Sequence, residues 1–312
     1  MPSRDSLCSS PALNARDARR EYSVEVSPAQ GVAGQTARGP TAPGGQRMAT
    51  TTPIVRFTRP NATPVISAGI AGWSGSIGAT PGPGEKLIHF VRHAQGFHNI
   101  DSAIMKQPAG LDARLTEEGC QQCAALAQKV GDLTPELIVS SPLTRTLQTS
   151  VLCFGKQLAA GVPLVALESV RETVNYLCDA RRPLSAIVGE VHSATGITVD
   201  TSGCEHEHDE LWLAYERKHG TQAAFGGHRE SANLPLLAER ARAAFAWLGG
   251  RSEREIIIVS HSAFLWNTLN MARVSRGMVP DVVDYAGDRE LETWLAARFE
   301  NTEMRTVLCE FL

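Results

Sequence analysis

Short runs of consecutive apolar residues alternate with stretches of helical periodicity through most of the chain after residue 85. The apolar runs predict strands covered on both faces, at residues 86–91, 137–139, 162–167, 255–259 and 305–311. Apolar positions at helical spacing predict helices, at residues 116–131, 142–158 and 233–248 and from Ala263 onward. Strands that alternate with helices predict a three-layer α/β/α sandwich, in which a mostly parallel central sheet carries helices on both faces.

The segment of about residues 170–232 interrupts this alternation and is too long for a simple connection between two elements. Loops of that length without structure of their own are uncommon in compact domains. We therefore expect an inserted, partly helical, cap-like region that covers the site.

Residues 1–84 differ in composition from the rest of the chain. They contain eight arginines, no lysine and four acidic residues, which gives a net charge of +4 and leaves −7 for residues 85–312. Ten of the 17 prolines lie in this segment, and Pro/Gly-rich runs such as residues 39–45 and 80–84 do not favour helices or strands. We predict a disordered tail over 1–84 and one folded domain over 85–312.

Three origins of this tail remain open. It is either a plain disordered extension, a mis-annotated gene start with the true start at Met48, or an organelle transit peptide. The seven cysteines are odd in number and scattered, which does not indicate a disulfide framework and favours a reducing compartment. We expect a cytoplasmic protein, with a plastid or other organelle as the alternative.

The overall composition excludes several classes of protein. With 43% hydrophobic residues, the chain can bury a sizeable core. No run approaches the roughly 18–20 apolar residues of a membrane span. The net charge of −3 provides no basic face, so we expect neither a membrane nor a nucleic acid as a partner.

Polar side chains follow three of the predicted strands. Arg92 and His93 end the first, residues 140–142 lead from the second to Arg145, and His261 follows the strand at 255–259. The carboxyl ends of parallel strands meet at one edge, where ligands of open α/β sheets bind. The planar guanidinium matches phosphate oxygens and a neutral imidazole can attack phosphorus. The sequence therefore predicts a phosphate site at this edge.

Five segments carry recognisable motifs, and they occur in a fixed order. They are LIHFVRHAQGFHN at 87–99, LTEEG at 115–119 with Gln122, VSSPLTRTLQT at 139–149, VRE at 170–172 and VSHSAF at 259–264. Together they resemble the motifs of the histidine phosphatase superfamily, the phosphoglycerate mutase-like proteins, over about residues 86–311. Ala94 replaces the usual glycine of the Arg-His-Gly motif, which adds only a methyl group. We therefore expect an active enzyme.

The resemblance implies a role for each matching residue. His93 is the nucleophile that forms a phosphohistidine, while Arg92, Arg145 and His261 hold the phosphoryl oxygens and stabilise the transition state. Asn99 matches an asparagine on the phosphate side of the family's site. The cationic pocket replaces a metal ion, so we expect neither a metal nor another cofactor.

The general acid is the least certain member of the site. The resemblance implies that Glu172 protonates the leaving alkoxide and then activates water, a role that requires a raised carboxyl pKa. Glu168 and Asp179 lie close in sequence and remain alternatives.

Further segments resemble the plant, algal and fungal group of phosphoglycerate mutase-like phosphatases, and they occur at residues 170–182, 209–212, 229–230 and 299–305. The Arg-x-Tyr-Gly element common after the catalytic glutamate of cofactor-dependent mutases is not found, which favours a phosphatase of phosphorylated small molecules. A mutase and a non-catalytic phospho-ligand-binding module are the alternatives. Arg181 and Arg182 are candidates to bind a second anionic group of the substrate, or else surface arginines paired with Asp179 or Glu190.

Overall fold

The computed structural model describes residues 53–60 and 80–312. Within these residues, eight strands form one sheet. The strands are β1 (Val55–Thr58), β2 (Glu85–Arg92), β3 (Leu137–Ser140), β4 (Leu164–Leu167), β5 (Asp200–Gly203), β6 (Glu255–Ser260), β7 (Val283–Asp284) and β8 (Met304–Phe311). The α-helices are α1 (Phe97–Ile100), α2 (Glu117–Lys129), α3 (Thr144–Cys153), α4 (Gly155–Ala159), α5 (Leu184–Thr195), α6 (Glu210–His219), α7 (Leu234–Gly249), α8 (Ser262–Leu269), α9 (Met271–Val274) and α10 (Arg289–Leu295).

The order of strands across the sheet is β5-β4-β3-β6-β2-β8-β1-β7. β8 runs antiparallel to its neighbours β2 and β1, whereas the other neighbouring pairs are parallel. The strands β3, β6 and β2 form the parallel centre, where Ser140 pairs with Val259 and Arg92 pairs with Ser260. Their carboxyl ends therefore meet at one edge of the sheet, as the sequence predicts.

Side chains of the central strands alternate between two apolar clusters, because successive residues of a strand point to opposite faces. Ile256 and Ile258 belong to the first cluster, together with the apolar face of α7. Ile257 and Val259 belong to the second, together with residues of α2, α3 and α5. The predicted three-layer α/β/α sandwich is thereby confirmed.

The predicted insertion of about 170–232 contributes to the sheet, which the sequence did not indicate. Residues 200–203 form β5 and extend the sheet beyond β4 by parallel pairing. The polar sequence DTSG lacks the apolar run that marks the central strands, so this edge strand left no pattern to detect. Trp212 and Tyr215 of α6 are buried in a small third cluster that belongs mainly to the insertion.

The prediction of a disordered tail over 1–84 was wrong for β1. Val55 pairs with Phe311 of β8 on one side and with Val283 of β7 on the other. Both Val55 and Phe57 are completely buried in the first cluster. Residues 1–52 and 61–79 lie outside the described residues, so the prediction for them stays untested.

Replacing Phe57 by alanine should lower the free energy of unfolding by about 3–5 kcal/mol, the usual result of truncating a buried phenylalanine. The ring is 5.8 Å, centroid to centroid, from both Phe90 and Phe245. Urea denaturation measures the change. Arg56→Ala is the matched control, because it removes only partly exposed ion pairs and should change stability by at most about 1 kcal/mol. Equal stability of both variants would contradict the packing of β1.

Candidate active site

His93 follows the last residue of β2 and lies at the centre of the candidate site. Its backbone N–H donates to the carbonyl of Ser260 (3.0 Å), which ties the ends of β2 and β6 together. Its Nδ1 is 2.7 Å from the carbonyl oxygen of Ala94. A carbonyl can only accept, so Nδ1 carries the proton and Nε2 keeps its lone pair. The ring therefore has the tautomer that a nucleophilic Nε2 requires.

The surroundings of His93 keep its imidazole neutral. The side chain is buried, and burial lowers its pKa well below the usual value. Nearby Arg145, His98 and Arg92 lower the pKa further, and these effects outweigh the hydrogen bond to the Ala94 carbonyl, which raises it. A neutral ring with a free nitrogen lone pair is thus the stable state near neutral pH.

His261 follows β6 and lies beside His93, with 5.0 Å between the ring centroids. Its Nε2 shares a hydrogen bond with the hydroxyl of Ser141 (2.8 Å), the residue that follows β3. Its Nδ1 is buried and has no hydrogen-bond partner among the residues that the structure describes. Burial, followed by Arg145, lowers the pKa of His261 well below the usual value. The site thus pairs two neutral imidazoles.

Arg145 lies in the first turn of α3 and is completely buried. One nitrogen, Nη1, donates to the carbonyl of Cys178 (2.8 Å). Within residues 53–60 and 80–312, Nε and Nη2 make no hydrogen bond, and Nη2 is 3.6 Å from a carboxylate oxygen of Asp179. Buried N–H groups without acceptors are costly, so this guanidinium is poised to bind an anion.

Arg92 supplies a second guanidinium to the same edge of the sheet. Its Nη1 donates to the carbonyl of Phe299 (2.8 Å), and in the described part of the chain its buried Nε has no partner. Burial lowers its pKa, and the charge of Glu172 opposes that change. Arg92 and Arg145 therefore both keep unused donors next to the two imidazoles.

Ala94 does not disrupt the site. Its methyl group is fully buried, and its backbone N–H donates to the hydroxyl of Thr149 in α3 (3.0 Å). The same hydroxyl donates back to the carbonyl of Arg145 (2.7 Å). The substitution for glycine is thus accommodated, and the loop after His93 stays attached to the helix that carries Arg145.

The side chain of Glu172 contacts the first turn of α8, the helix that follows His261. One carboxylate oxygen accepts hydrogen bonds from the backbone N–H of Phe264 (2.9 Å) and of Thr173 (2.8 Å). The guanidinium of Arg240 in α7 donates to the backbone carbonyl of Arg171 (2.8 Å) and pairs with Glu230. Arg240 therefore fixes the backbone that precedes Glu172. No motif in the sequence indicated the role of Arg240.

The carboxyl groups of Glu172 and Asp179 lie close enough to influence each other. Burial raises the pKa of Glu172, and the neighbouring carboxylate of Asp179 raises it further, against the opposing effect of Arg145. Burial also raises the pKa of Asp179, although Arg145 and the backbone N–H groups of Tyr176 and Asn175 oppose the change. Both carboxyls thus hold a proton more strongly than an exposed carboxyl does.

Glu168, the third acid considered from the sequence, has a different environment. Its carboxylate accepts hydrogen bonds from Arg171 Nη1 (2.7 Å) and Arg181 Nε (3.1 Å). Both carboxylate oxygens of Glu168 are thus engaged by arginines of the insertion. These contacts favour Glu172 and Asp179 as candidates for the general acid.

Arg181 and Arg182 are buried in the insertion, where acceptors of the protein bind them. Arg181 donates to Glu168 and to three backbone carbonyls after β5. Arg182 donates to Asp112 (3.1 Å) and Glu190 (2.6 Å). These contacts engage both guanidiniums within the protein, and the expectation that they bind a second anionic group of the substrate stays a prediction. The alternative pairing with Glu190 is correct for Arg182, although neither arginine is a surface residue.

The side chain of Asn99 is exposed, whereas His93 and His98 are buried. Its Oδ1 accepts from the backbone N–H of Gly96 (3.0 Å), and its Nδ2 is 3.1 Å from Nε2 of His98. Its assignment to the phosphate side of the site stays a prediction. Sequence reasoning also missed Asn301, whose amide donates to the carbonyl of His93 (2.8 Å).

Neither a metal-binding cluster nor a membrane-spanning helix occurs in the described part of the chain. In residues 53–60 and 80–312, no three His, Cys, Asp or Glu side chains are grouped so that they could hold a metal ion. Over the same residues, no helix combines the length and the apolar character needed to cross a membrane.

A family model and several known proteins match this chain. A family model for the histidine phosphatase superfamily (branch 1) matches residues 88–177. Phosphoglycerate mutase-like protein 1 of Arabidopsis thaliana is 32% identical over 258 residues, which cover 72% of this chain and 80% of that protein. Glucosyl-3-phosphoglycerate phosphatase of Mycobacterium tuberculosis is 30% identical over 186 residues, 58% of this chain and 72% of that protein. The solved structure of the mycobacterial glucosyl-3-phosphoglycerate phosphatase has 21% identity and a TM-score of 0.40, and the match covers 72% of this chain and 90% of that chain.

Proposed function

Because this chain belongs to the histidine phosphatase superfamily, we propose that it is a phosphatase that hydrolyses phosphomonoesters of small molecules without a metal ion. One observation carries the proposal. Next to the neutral His93, buried donors of Arg92 and Arg145 have no acceptor in the described part of the protein. A phosphoryl group would supply acceptors for these donors, and its charge would balance the two guanidiniums.

In the first step, the lone pair of His93 Nε2 attacks the phosphorus atom. A P–N bond forms, the ester P–O bond breaks, and the alkoxide leaves with the bonding electrons. The proton on Glu172 passes to that alkoxide, so an alcohol leaves and Glu172 becomes ionised. Arg92, Arg145 and His261 stabilise the charge on the phosphoryl oxygens in the transition state.

In the second step, water replaces the alcohol and reverses the roles. The ionised Glu172 takes a proton from water, and the resulting oxygen nucleophile attacks phosphorus. The P–N bond breaks, its electrons return to Nε2, and orthophosphate is released. The hydrogen bond from Nδ1 to Ala94 keeps His93 in the same tautomer throughout.

The relatives support the substrate class. Proteins similar to this chain are named glucosyl-3-phosphoglycerate phosphatase and phosphoglycerate mutase-like protein. Another, from Saccharomyces cerevisiae, is named a probable phosphoglycerate mutase. A mutase would return the phosphoryl group of His93 to the substrate, whereas a phosphatase transfers it to water. The missing Arg-x-Tyr-Gly element after Glu172 favours transfer to water.

Hydrolysis of a panel of phosphorylated metabolites in the presence of EDTA tests this function. We expect release of orthophosphate from para-nitrophenyl phosphate and from a subset of the metabolites, with no loss of rate in EDTA. Conversion of 3-phosphoglycerate to 2-phosphoglycerate faster than orthophosphate release would identify a mutase instead. Orthophosphate binding without turnover of any ester would identify a phospho-ligand-binding module.

A further inference from the structure

A third histidine lies beside His93. His98 is the second residue of α1 and is buried, and its ring centroid is 5.4 Å from that of His93. Arg145 and Arg92 are close enough to affect the protonation of His98. Neither step of the proposed reaction uses this side chain. The family resemblance also assigns no role to His98, because within this motif it gives roles only to Arg92, His93 and Asn99.

Contacts of Asn99 fix the tautomer of His98. The backbone N–H of Gly96 donates to Asn99 Oδ1, which identifies the oxygen of this amide and leaves Nδ2 as a donor. Nδ2 is 3.1 Å from His98 Nε2, which must therefore accept. An imidazole that accepts at Nε2 carries its proton on Nδ1. Asn99 thus selects the Nδ1–H form of His98.

That Nδ1–H group has no acceptor in the described part of the chain, and it is buried. Burial lowers the pKa of His98 well below its usual value, as do Arg145 and Arg92, so the ring stays neutral and does not add charge. Buried donors without a partner are rare in folded proteins, because desolvation is not compensated. A ligand acceptor in the pocket would satisfy His98 Nδ1 in the same way as the unused donors of Arg145.

Gly96 provides the space for this arrangement. A Cβ atom on residue 96 would lie 2.8 Å from His98 Nδ1 and 2.9 Å from Cε1. Any larger residue would therefore displace the imidazole or its backbone. Gly96 and Asn99 together hold the ring in place, one by the absence of a side chain and the other by its amide.

We infer that His98 is a further ligand of the phosphoryl group, donating Nδ1–H to one of its oxygens, and that Asn99 is a positioning residue that acts through His98. This inference rests on the proposed function for the identity of the ligand. It assigns Asn99 a different task from the direct phosphate contact that the sequence implies.

Orthophosphate binding, measured by titration calorimetry, tests the inference independently of turnover. His98→Phe retains an aromatic ring without a donor and should weaken orthophosphate binding by about 10- to 100-fold, the loss of one hydrogen bond to a charged group. His98→Asn places an amide N–H where Nδ1 lies and should bind within about threefold of the wild type. His98→Gln is the matched control, because its amide reaches the position of Nε2 instead, and it should bind as weakly as His98→Phe.

A double-mutant cycle tests the role of Asn99. Asn99→Ala should weaken binding in the wild type but have no further effect in His98→Phe, since Asn99 acts through the ring. Additive losses would show a direct contact between Asn99 and phosphate and would overturn the positioning role. Orthophosphate affinity of His98→Phe within about twofold of the wild type would overturn the ligand role. So would equal affinities of His98→Asn and His98→Gln, a comparison that holds even if the phenylalanine variant does not fold.

Failure of this inference is distinguishable from failure of the proposed function. If esters are hydrolysed and His98→Phe binds orthophosphate normally, only the role of His98 is overturned. If the wild type hydrolyses no ester but loses orthophosphate affinity in His98→Phe, the site binds phosphate through His98 and the catalytic proposal is wrong.

Discussion

His93→Ala should reduce kcat/KM for para-nitrophenyl phosphate by on the order of 10⁴-fold or more, because the variant removes the atom that forms the covalent intermediate. The buried ring makes no hydrogen bond to a side chain in the described residues, and its Nδ1 donates only to the adjacent Ala94 carbonyl. The fold should therefore survive its removal. Steady-state hydrolysis at pH 7 measures the effect, with the thermal midpoint as the check on folding.

Removal of an exposed histidine provides the matched control. His192 lies on the surface of α5, and His192→Ala should retain the wild-type rate. In the wild type, quenching the reaction in base should trap a phosphoryl group on a peptide that contains His93. Turnover by His93→Ala close to that of the wild type would refute the nucleophile assignment.

Glu172→Gln should lower kcat/KM for an alkyl phosphate by about 10²- to 10⁴-fold, because glutamine cannot protonate the leaving alkoxide. The loss should shrink to less than about tenfold for para-nitrophenyl phosphate, whose leaving group is stable without a proton. kcat/KM is the correct quantity, since it reports the steps up to formation of the phosphohistidine. Comparing the two substrates in one variant separates proton donation from a general loss of structure.

Asp179→Asn is the matched variant for this test. If Glu172 is the acid, Asp179→Asn should not show a loss that depends on the leaving group at a pH where Glu172 is protonated in both proteins. Removal of the neighbouring negative charge should lower the pKa of Glu172, because that charge raises it in the wild type, so the fall in kcat/KM for alkyl phosphates should begin at a lower pH in the variant. The opposite pattern, with selective loss in Asp179→Asn alone, would transfer the role to Asp179.

The pKa shifts also set the sign of the pH dependence. Glu172 must be protonated to act as an acid, so kcat/KM for alkyl phosphates should fall as pH rises through its raised pKa. In Glu172→Gln this fall should disappear. His93 must be neutral to attack, and its lowered pKa moves the corresponding acid-side loss well below the usual histidine range.

Much of the fold and the grouping of residues at the centre of the site could be predicted from residues that are close along the chain. The run Ile256–Val259 predicted a strand covered on both faces, and its side chains do alternate between the two apolar clusters. Because β2, β3 and β6 are parallel neighbours, residues at their ends must meet at one edge. This is why His93, Arg145 and His261 could be grouped from the sequence alone, and the superfamily identified from the motifs is confirmed.

The features that the sequence did not reveal concern contacts between distant parts of the chain. Arg181 donates to Glu168 and to backbone carbonyls at residues 206–208, and Arg182 donates to Asp112, contacts that no local pattern indicates. The sequence also assigned no role to His98, because the role inferred for it depends on the space at Gly96 and on the orientation of the Asn99 amide.

By itself, the sequence determined the layered α/β architecture and the polar groups at the ends of its parallel strands, because both depend on residues that are close along the chain. Only the tertiary structure decided that β1 belongs to the sheet, which buried arginines already have acceptors, and which donors remain unused. The pairing of Val55 with Phe311 joins residues that are far apart along the chain. Whether a buried donor is satisfied likewise depends on atoms that only folding brings together.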